Sequence, residues 1–136
     1  MAGAQGVAVR VTTVLDSSAL LAIIKGEEGA DRARAAFPDV AMSAVNYQEV
    51  VAKLVERGLS DSEVGTLIGQ FEMALHPHDA AQALTAGLLR RATRAAGLSL
   101  GDRACLALAA SLGAPVLTAD RAWAGLEVGV PIEVVR

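Results

Sequence analysis

The stretch PVLTAD, Pro115 to Asp120, decides the fold. It reads as a short buried strand that stops on a carboxylate. VTTVLD, Val11 to Asp16, does the same near the other end of the chain. Both runs are short, apolar and rich in β-branched residues, as strands are. One acid at a strand exit is ordinary. Two, after separate strands, point to strand ends that meet and hold something positive.

Working outward, strands and helices alternate. SSALLAIIKGE after Asp16 reads as a helix capped by Asp16 or Ser17. GADRARAAF reads as a short helix closed by Pro38, and VAMS as a strand. Ala44–Arg57 reads as a helix with Val50, Val51, Leu54 and Val55 on one apolar face and Gly58 as its stop. Ser60 and Glu63 are spaced as a capping box for another helix. LHPH reads as extended, Asp79–Ala96 as a long helix ended by Gly97, and Ser99–Leu112 as another ended by Gly113. After PVLTA come a helical turn in DRAWAGL and a last strand in PIEVV. Such interleaving predicts an α/β fold with a largely parallel sheet and helices on both faces. In such folds ligands sit beyond the carboxyl ends of the strands, where Asp16 and Asp120 are expected.

The 136 residues fit one domain, expected over residues 11–136 after a loose leader, residues 1–10. Hydrophobic residues make up 53% and aromatic ones 3%, so the core is expected to be mostly Ala, Leu and Val. So apolar a small chain also suggests an interface with a partner. A net charge of -3 argues against coating nucleic acid by bulk charge, though not against a local basic patch. Cys105 is the only cysteine, which removes an internal disulfide framework and a cysteine zinc site. No signal or spanning pattern is read, so a cytoplasmic protein without a membrane partner is expected.

The acids have bland readings. Asp16 and Asp120 suit helix caps, and Ser99 with Asp102 fits a capping pair. Glu49 lies mid-helix in NYQEVVAKL, sharing a stripe with Asn46 and Lys53 that reads as solvated and turned away from the apolar face. These readings explain each acid but not the set. Four carboxylates in one cleft repel one another unless a cation joins them. Mg²⁺ or Mn²⁺ would make them a hard oxygen site suited to phosphodiester hydrolysis.

Three pieces in order, VLDSSALLA, MSAVNYQEVVAKL and GLSLGDRACLALAASLGAPVLTADRAW, resemble the PIN-domain ribonucleases, in particular VapC-type toxins of toxin–antitoxin pairs. The resemblance covers Val11–Arg136. It implies a PIN-like α/β/α sandwich and an acidic site for Mg²⁺ or Mn²⁺ on Asp16, Glu49, Asp102 and Asp120, with Asn46 and Thr118 in support. It implies cleavage of RNA, often tRNA or ribosomal RNA. It also implies a homodimer or hetero-oligomer and a cognate antitoxin that holds the toxin inactive. Family chains commonly start almost at the first strand, so Met1–Arg10 is a departure.

Arg90, Arg91 and Arg94 in LLRRATR, with Arg103 and Arg121 beside the acids, are candidate phosphate contacts; a solvated basic helix face explains the first three as well. His76 and His78 flank Pro77, but two histidines complete no zinc site. Cys105 reads as a small buried hydrophobe and Trp123 as packing for the strand-end loop. Two other classes stay open. A Mg²⁺-dependent phosphoacceptor domain wants a lysine near a late strand end, and the only lysines are Lys25 and Lys53. A catalytically silent PIN-like interaction module would have no use for all four acids.

Overall fold

The computed structural model of the protein describes residues 12–136. The expected leader, residues 1–10, lies outside them. Five strands form one sheet: β1 (Thr13–Leu15), β2 (Val40–Ser43), β3 (Ala74–His76), β4 (Val116–Thr118) and β5 (Ile132–Val134). Their order is β3-β2-β1-β4-β5, and every neighbouring pair is parallel. The chain winds from β1 toward β3 and then returns to add β4 on the other side of β1. The strand order therefore switches between β1 and β4, where open parallel sheets form a crevice.

The helices are α1 (Ser17–Lys25), α2 (Ala30–Arg34), α3 (Ala44–Glu56), α4 (Asp61–Ile68), α5 (Ala80–Leu88), α6 (Arg90–Thr93) and α7 (Leu100–Leu112). Period-2 alternation splits the strand side chains between two cores. Leu15, Val40, Met42 and Leu117 face a core with Leu20 of α1, Val50 and Leu54 of α3 and Ile68 of α4. Val14, Ala41 and Val116 face a second core with Leu106 and Leu108 of α7 and Trp123. Parallel strands covered on both faces explain why VAMS and VLT are continuously apolar or small. Among the described residues no helix is long and apolar enough to cross a membrane.

Local chemistry sets the boundaries. α1 ends at Gly26 and α7 at Gly113, both in the left-handed region that side chains disfavour. The capping box of Ser60 and Glu63 forms as expected. Gly29 has φ 93°, and a Cβ there would strike Val135, so glycine lets the C-terminal segment cross the start of α2.

Two expectations need correction. The single helix over Asp79–Ala96 is instead α5 and the short α6, joined at Leu89. Gly87 weakens the last turn of α5, and the Thr93 hydroxyl donates back to the Leu89 carbonyl, 2.8 Å. The apolar face of α3 is also narrower than expected. Val50 and Leu54 are buried, whereas Val55 is 52% exposed. Asn46 lies four residues before Val50 on the same stripe and is fully buried, so it does not belong to a solvated face. Only Lys53 does, paired with Glu56 at 3.8 Å.

Candidate active site at the strand exits

Asp16 leaves β1 at the switch point and is 2% exposed. Its Oδ1 caps α1 by accepting from the Ala19 amide at 3.0 Å. Its Oδ2 accepts from the Thr118 hydroxyl of β4 at 2.9 Å. The Ser18 hydroxyl lies 2.8 Å from Oδ1 and 3.0 Å from Oδ2. Ser18 Oγ in turn accepts from the Ala119 amide at 2.9 Å, and Thr118 Oγ1 from the Asp120 amide at 3.0 Å. This lattice stitches the exits of β1 and β4 together.

Burial pushes the Asp16 carboxyl up to about 6, against the pull of the Ser18, Ala19 and Thr118 hydrogen bonds. The neighbouring Asp102 adds to the rise. The three donors orient a carboxylate, yet the surroundings do not neutralise its charge. A nearby cation would.

A second lattice positions Glu49 on α3. Its Oε1 accepts from the Asn46 amide at 2.9 Å and from the Ser17 hydroxyl at 3.2 Å. Asn46 Nδ2 also donates to the Gly101 carbonyl at 3.0 Å, tying α3 to the first turn of α7. The Glu49 carboxyl group lies over Gly101 so closely that a Cβ there would overlap it. Under this floor sits Cys105. Its thiol is pushed well up, first by burial and then by Asp16, Asp102 and Glu49. Three of the four predicted acids therefore lie near enough to Cys105 to act on its thiol, and Cys105 itself is the buried hydrophobe the sequence suggested.

The other two predicted aspartates also serve as caps. Asp102 Oδ2 accepts from the Ser99 amide at 2.8 Å, completing a capping box for α7. Asp120 is exposed, and its Oδ1 accepts from the Ala122 amide at 2.9 Å at the head of the 3₁₀ turn Arg121–Trp123. Among the described residues no three acidic, histidine or cysteine side chains are gathered as a ready-made ion site. The donors are nevertheless all oxygens, and the most buried carboxylate has no cationic partner in its hydrogen-bond shell. This chemistry fits a hard divalent cation.

Of the predicted basic residues, Arg90, Arg91 and Arg94 are exposed on and just after α6. Arg121 is engaged with Glu28 at 3.2 Å, and Arg103 is half-buried. Trp123 is fully buried in the second core, which removes it as a stacking platform for a base. The sequence reading missed Ser17, Ser18 and Gly101. The pair of serines directly after Asp16 was the available signal, since hydroxyls in a first helical turn can reach back to the cap.

Comparison with known proteins now decides the family. The family model described as PIN domain matches residues 13–128. The chain belongs to the PIN domain family, in its VapC branch. It is 33% identical over 114 residues to ribonuclease VapC42 of Mycobacterium tuberculosis, covering 76% of this chain and 87% of the relative. Among solved structures it resembles a toxin-antitoxin complex from Klebsiella pneumoniae, with a TM-score of 0.72 and 20% identity over 92% of this chain and 98% of that one. It also resembles VapBC-5 of M. tuberculosis, with a TM-score of 0.58 and 26% identity over 93% and 98%. The PIN-like fold with its parallel sheet is as expected.

Proposed function

We propose that the chain is a metal-dependent endoribonuclease, the toxin of a type II toxin–antitoxin pair, held inactive by a cognate antitoxin. The observation that carries this is the buried, cation-hungry Asp16 at the switch point, its carboxyl held up by burial and by the neighbouring Asp102. The relatives named VapC ribonucleases and the VapBC complexes support the same reading. The substrate is then an RNA, with tRNA or ribosomal RNA the natural targets, and the cytoplasm the compartment. The toxin is expected as a homodimer or within a hetero-oligomer with the antitoxin.

Asp16 and Asp102 would hold Mg²⁺ or Mn²⁺ directly, with Asp120 and Glu49 direct or through water. A bound ion of this kind supplies positive charge to the scissile phosphate and makes a water a better nucleophile. The protein contributes orientation. Ser18 and Thr118 fix the plane of the Asp16 carboxylate from two sides. Asn46 and Ser17 both engage Glu49 Oε1, holding that carboxylate against Gly101. Asp102 and Asp120 each cap with one oxygen, which leaves the other for a ligand. Hydrolysis would leave 5′-phosphate and 3′-hydroxyl ends.

A catalytically silent module has one observation in its favour, the capping roles of Asp102 and Asp120. The test is incubation of total cellular RNA with purified, antitoxin-free protein, with Mg²⁺, with Mn²⁺ and with chelator. Metal-dependent cutting that Asp16→Asn and Asp102→Asn both lack is the expected result. Equal cutting by folded Asp102→Asn would sink the site assignment. No cutting with either metal would favour the silent module.

A further inference from the structure

Of the buried nitrogen atoms without a hydrogen-bond partner, two lie outside both the acidic cluster and the core around Trp123: His78 Nδ1 and Arg103 Nη1. Both residues line one cavity of about 160 Å³ between the β3–α5 turn, α5 and the first turn of α7. The rest of its wall is Ala83, Ala86, Gly87 and Leu100. A guanidinium N–H can only donate, and it never loses its charge at neutral pH. No ion pair to Arg103 occurs among the described residues. Native proteins seldom leave such a donor buried and unanswered. The wall is otherwise apolar, so nothing in it answers these two nitrogens. The cavity therefore calls for a small guest rich in acceptors and negative charge.

Placement says which guest. His78 lies two residues beyond the exit of β3, and Arg103 directly follows Asp102. The cavity thus shares the sheet edge that carries Asp16. β3 is two strands from β1, a distance of about 10 Å across the sheet. The volume is far below the roughly 300 Å³ at which pockets begin to take drug-sized ligands, so a nucleobase with its sugar does not fit. A phosphate group does.

We propose that this cavity is a phosphate subsite for the RNA strand, in which Arg103 Nη1 and His78 Nδ1 grip a phosphate flanking the scissile one. The subsite rests on the ribonuclease reading for its ligand, but it is tested separately from cleavage. Gly87 lines the cavity, and a Cβ there would meet nothing within 4 Å, so a side chain can be added at this point of the wall. His78 acts here as a hydrogen-bond donor, not as a metal ligand.

The experiment is fluorescence anisotropy of the full chain with a labelled single-stranded oligoribonucleotide, in chelator, over a range of salt. Far-UV circular dichroism and thermal melting check that each variant folds. Arg103→Gln is expected to bind about tenfold more weakly at low salt, with the salt slope reduced by about 0.7 for the one lost contact. His78→Leu and the cavity-filling Gly87→Leu are expected to bind more weakly than the parent. His78→Asn, whose amide replaces the Nδ1 donor, should stay close to it. Parent-like affinity and slope in Arg103→Gln and Gly87→Leu would overturn the subsite and leave the cavity to water. Failure of the parent to bind RNA would overturn it too. Variants that bind RNA normally but lose the antitoxin would assign the cavity to a carboxylate of that partner and reject the RNA proposal. Binding through the subsite without cleavage by the parent would defeat the ribonuclease reading alone. Cleavage with parent-like binding by every variant would defeat the subsite alone.

Discussion

The two ends of the sheet are built on opposite rules. At the strand entries, Phe37 and Phe71 pack with ring centroids 5.7 Å apart beside Pro38. They line a cavity of about 360 Å³ with Arg34, Gln70 and Glu72. At the strand exits the space is tighter, but buried hydroxyls, an amide and carboxylates are bonded to one another across three elements. The larger hollow therefore lies away from the chemistry. At the exits, burial holds Asp16 up at about 6. Strained charge, and not room, marks the site.

The widest split between the ends should be in activity. Asp16→Asn is expected to lower metal-dependent RNA cleavage by more than about a hundredfold, beyond what loss of a supporting partner usually costs. Phe71→Ala at the other end should cost about 2 kcal/mol of stability, as removal of a half-buried aromatic does, and leave cleavage near the parent rate. Gel-based cleavage assays with thermal melts of both variants measure this. Comparable losses of cleavage in the two would erase the distinction.

Stability against pH should separate the ends next. The folded pKa of Asp16 lies above its ordinary value, so its contribution is complete below about pH 3.8 and is lost as pH rises through about 6. The gap between 3.8 and about 6 corresponds to about 3 kcal/mol at neutral pH. Asp16→Asn, with no charge to bury, is expected to be more stable than the metal-free parent at pH 7 and to lose the advantage near pH 4. Mg²⁺ should raise the melting temperature of the parent at pH 7 more than that of the variant. Denaturant melts at several pH values give the answer, and parallel curves for the two proteins would contradict it.

Much of this contrast was legible in the chain. The exits of β1 and β4 were visible because a β-branched run ending in Asp carries both a strand and a boundary. The return crossing that sets β1 beside β4 was only implied by helix–strand alternation. Asn46 was misjudged because a polar residue amid charged ones reads as solvated. Burial makes it a clasp between α3 and α7, and nothing local announces a neighbour 55 residues away. The break between α5 and α6 was missed because Gly87 is a weak signal inside an otherwise helical run. His78 was weighed only as a metal ligand, since its cavity exists only after α5 packs on α7.

Gly101→Ala tests the contrast at the scale of one methyl group. Alanine favours the helix by up to about 1 kcal/mol, so stability should hardly fall. The added Cβ must displace the Glu49 carboxyl group, and Asn46 would lose its partner geometry. Cleavage should drop about tenfold, the scale of a disturbed supporting contact. A crystal structure of the variant with Glu49 unmoved, or full activity, would show that the close approach of α3 and α7 has no bearing on the site.

The smallest effect belongs to the rim. Arg121 and Glu28 form an ion pair in which both side chains are 71% exposed. Such pairs contribute little, so Glu28→Gln should change stability by less than about 0.5 kcal/mol. The substitution also releases Arg121, one residue beyond the exit-edge Asp120, from the Glu28 carboxylate, leaving its Nε donating to the Arg136 carbonyl at 3.4 Å, and removes a negative charge from that edge. If Arg121 contacts phosphate, RNA affinity at low salt should rise by about twofold, and the gain should vanish in high salt as the field is screened. The same gain in an Arg121→Ala background would show that only the general field of the edge had changed, and Arg121 would leave the set of RNA contacts.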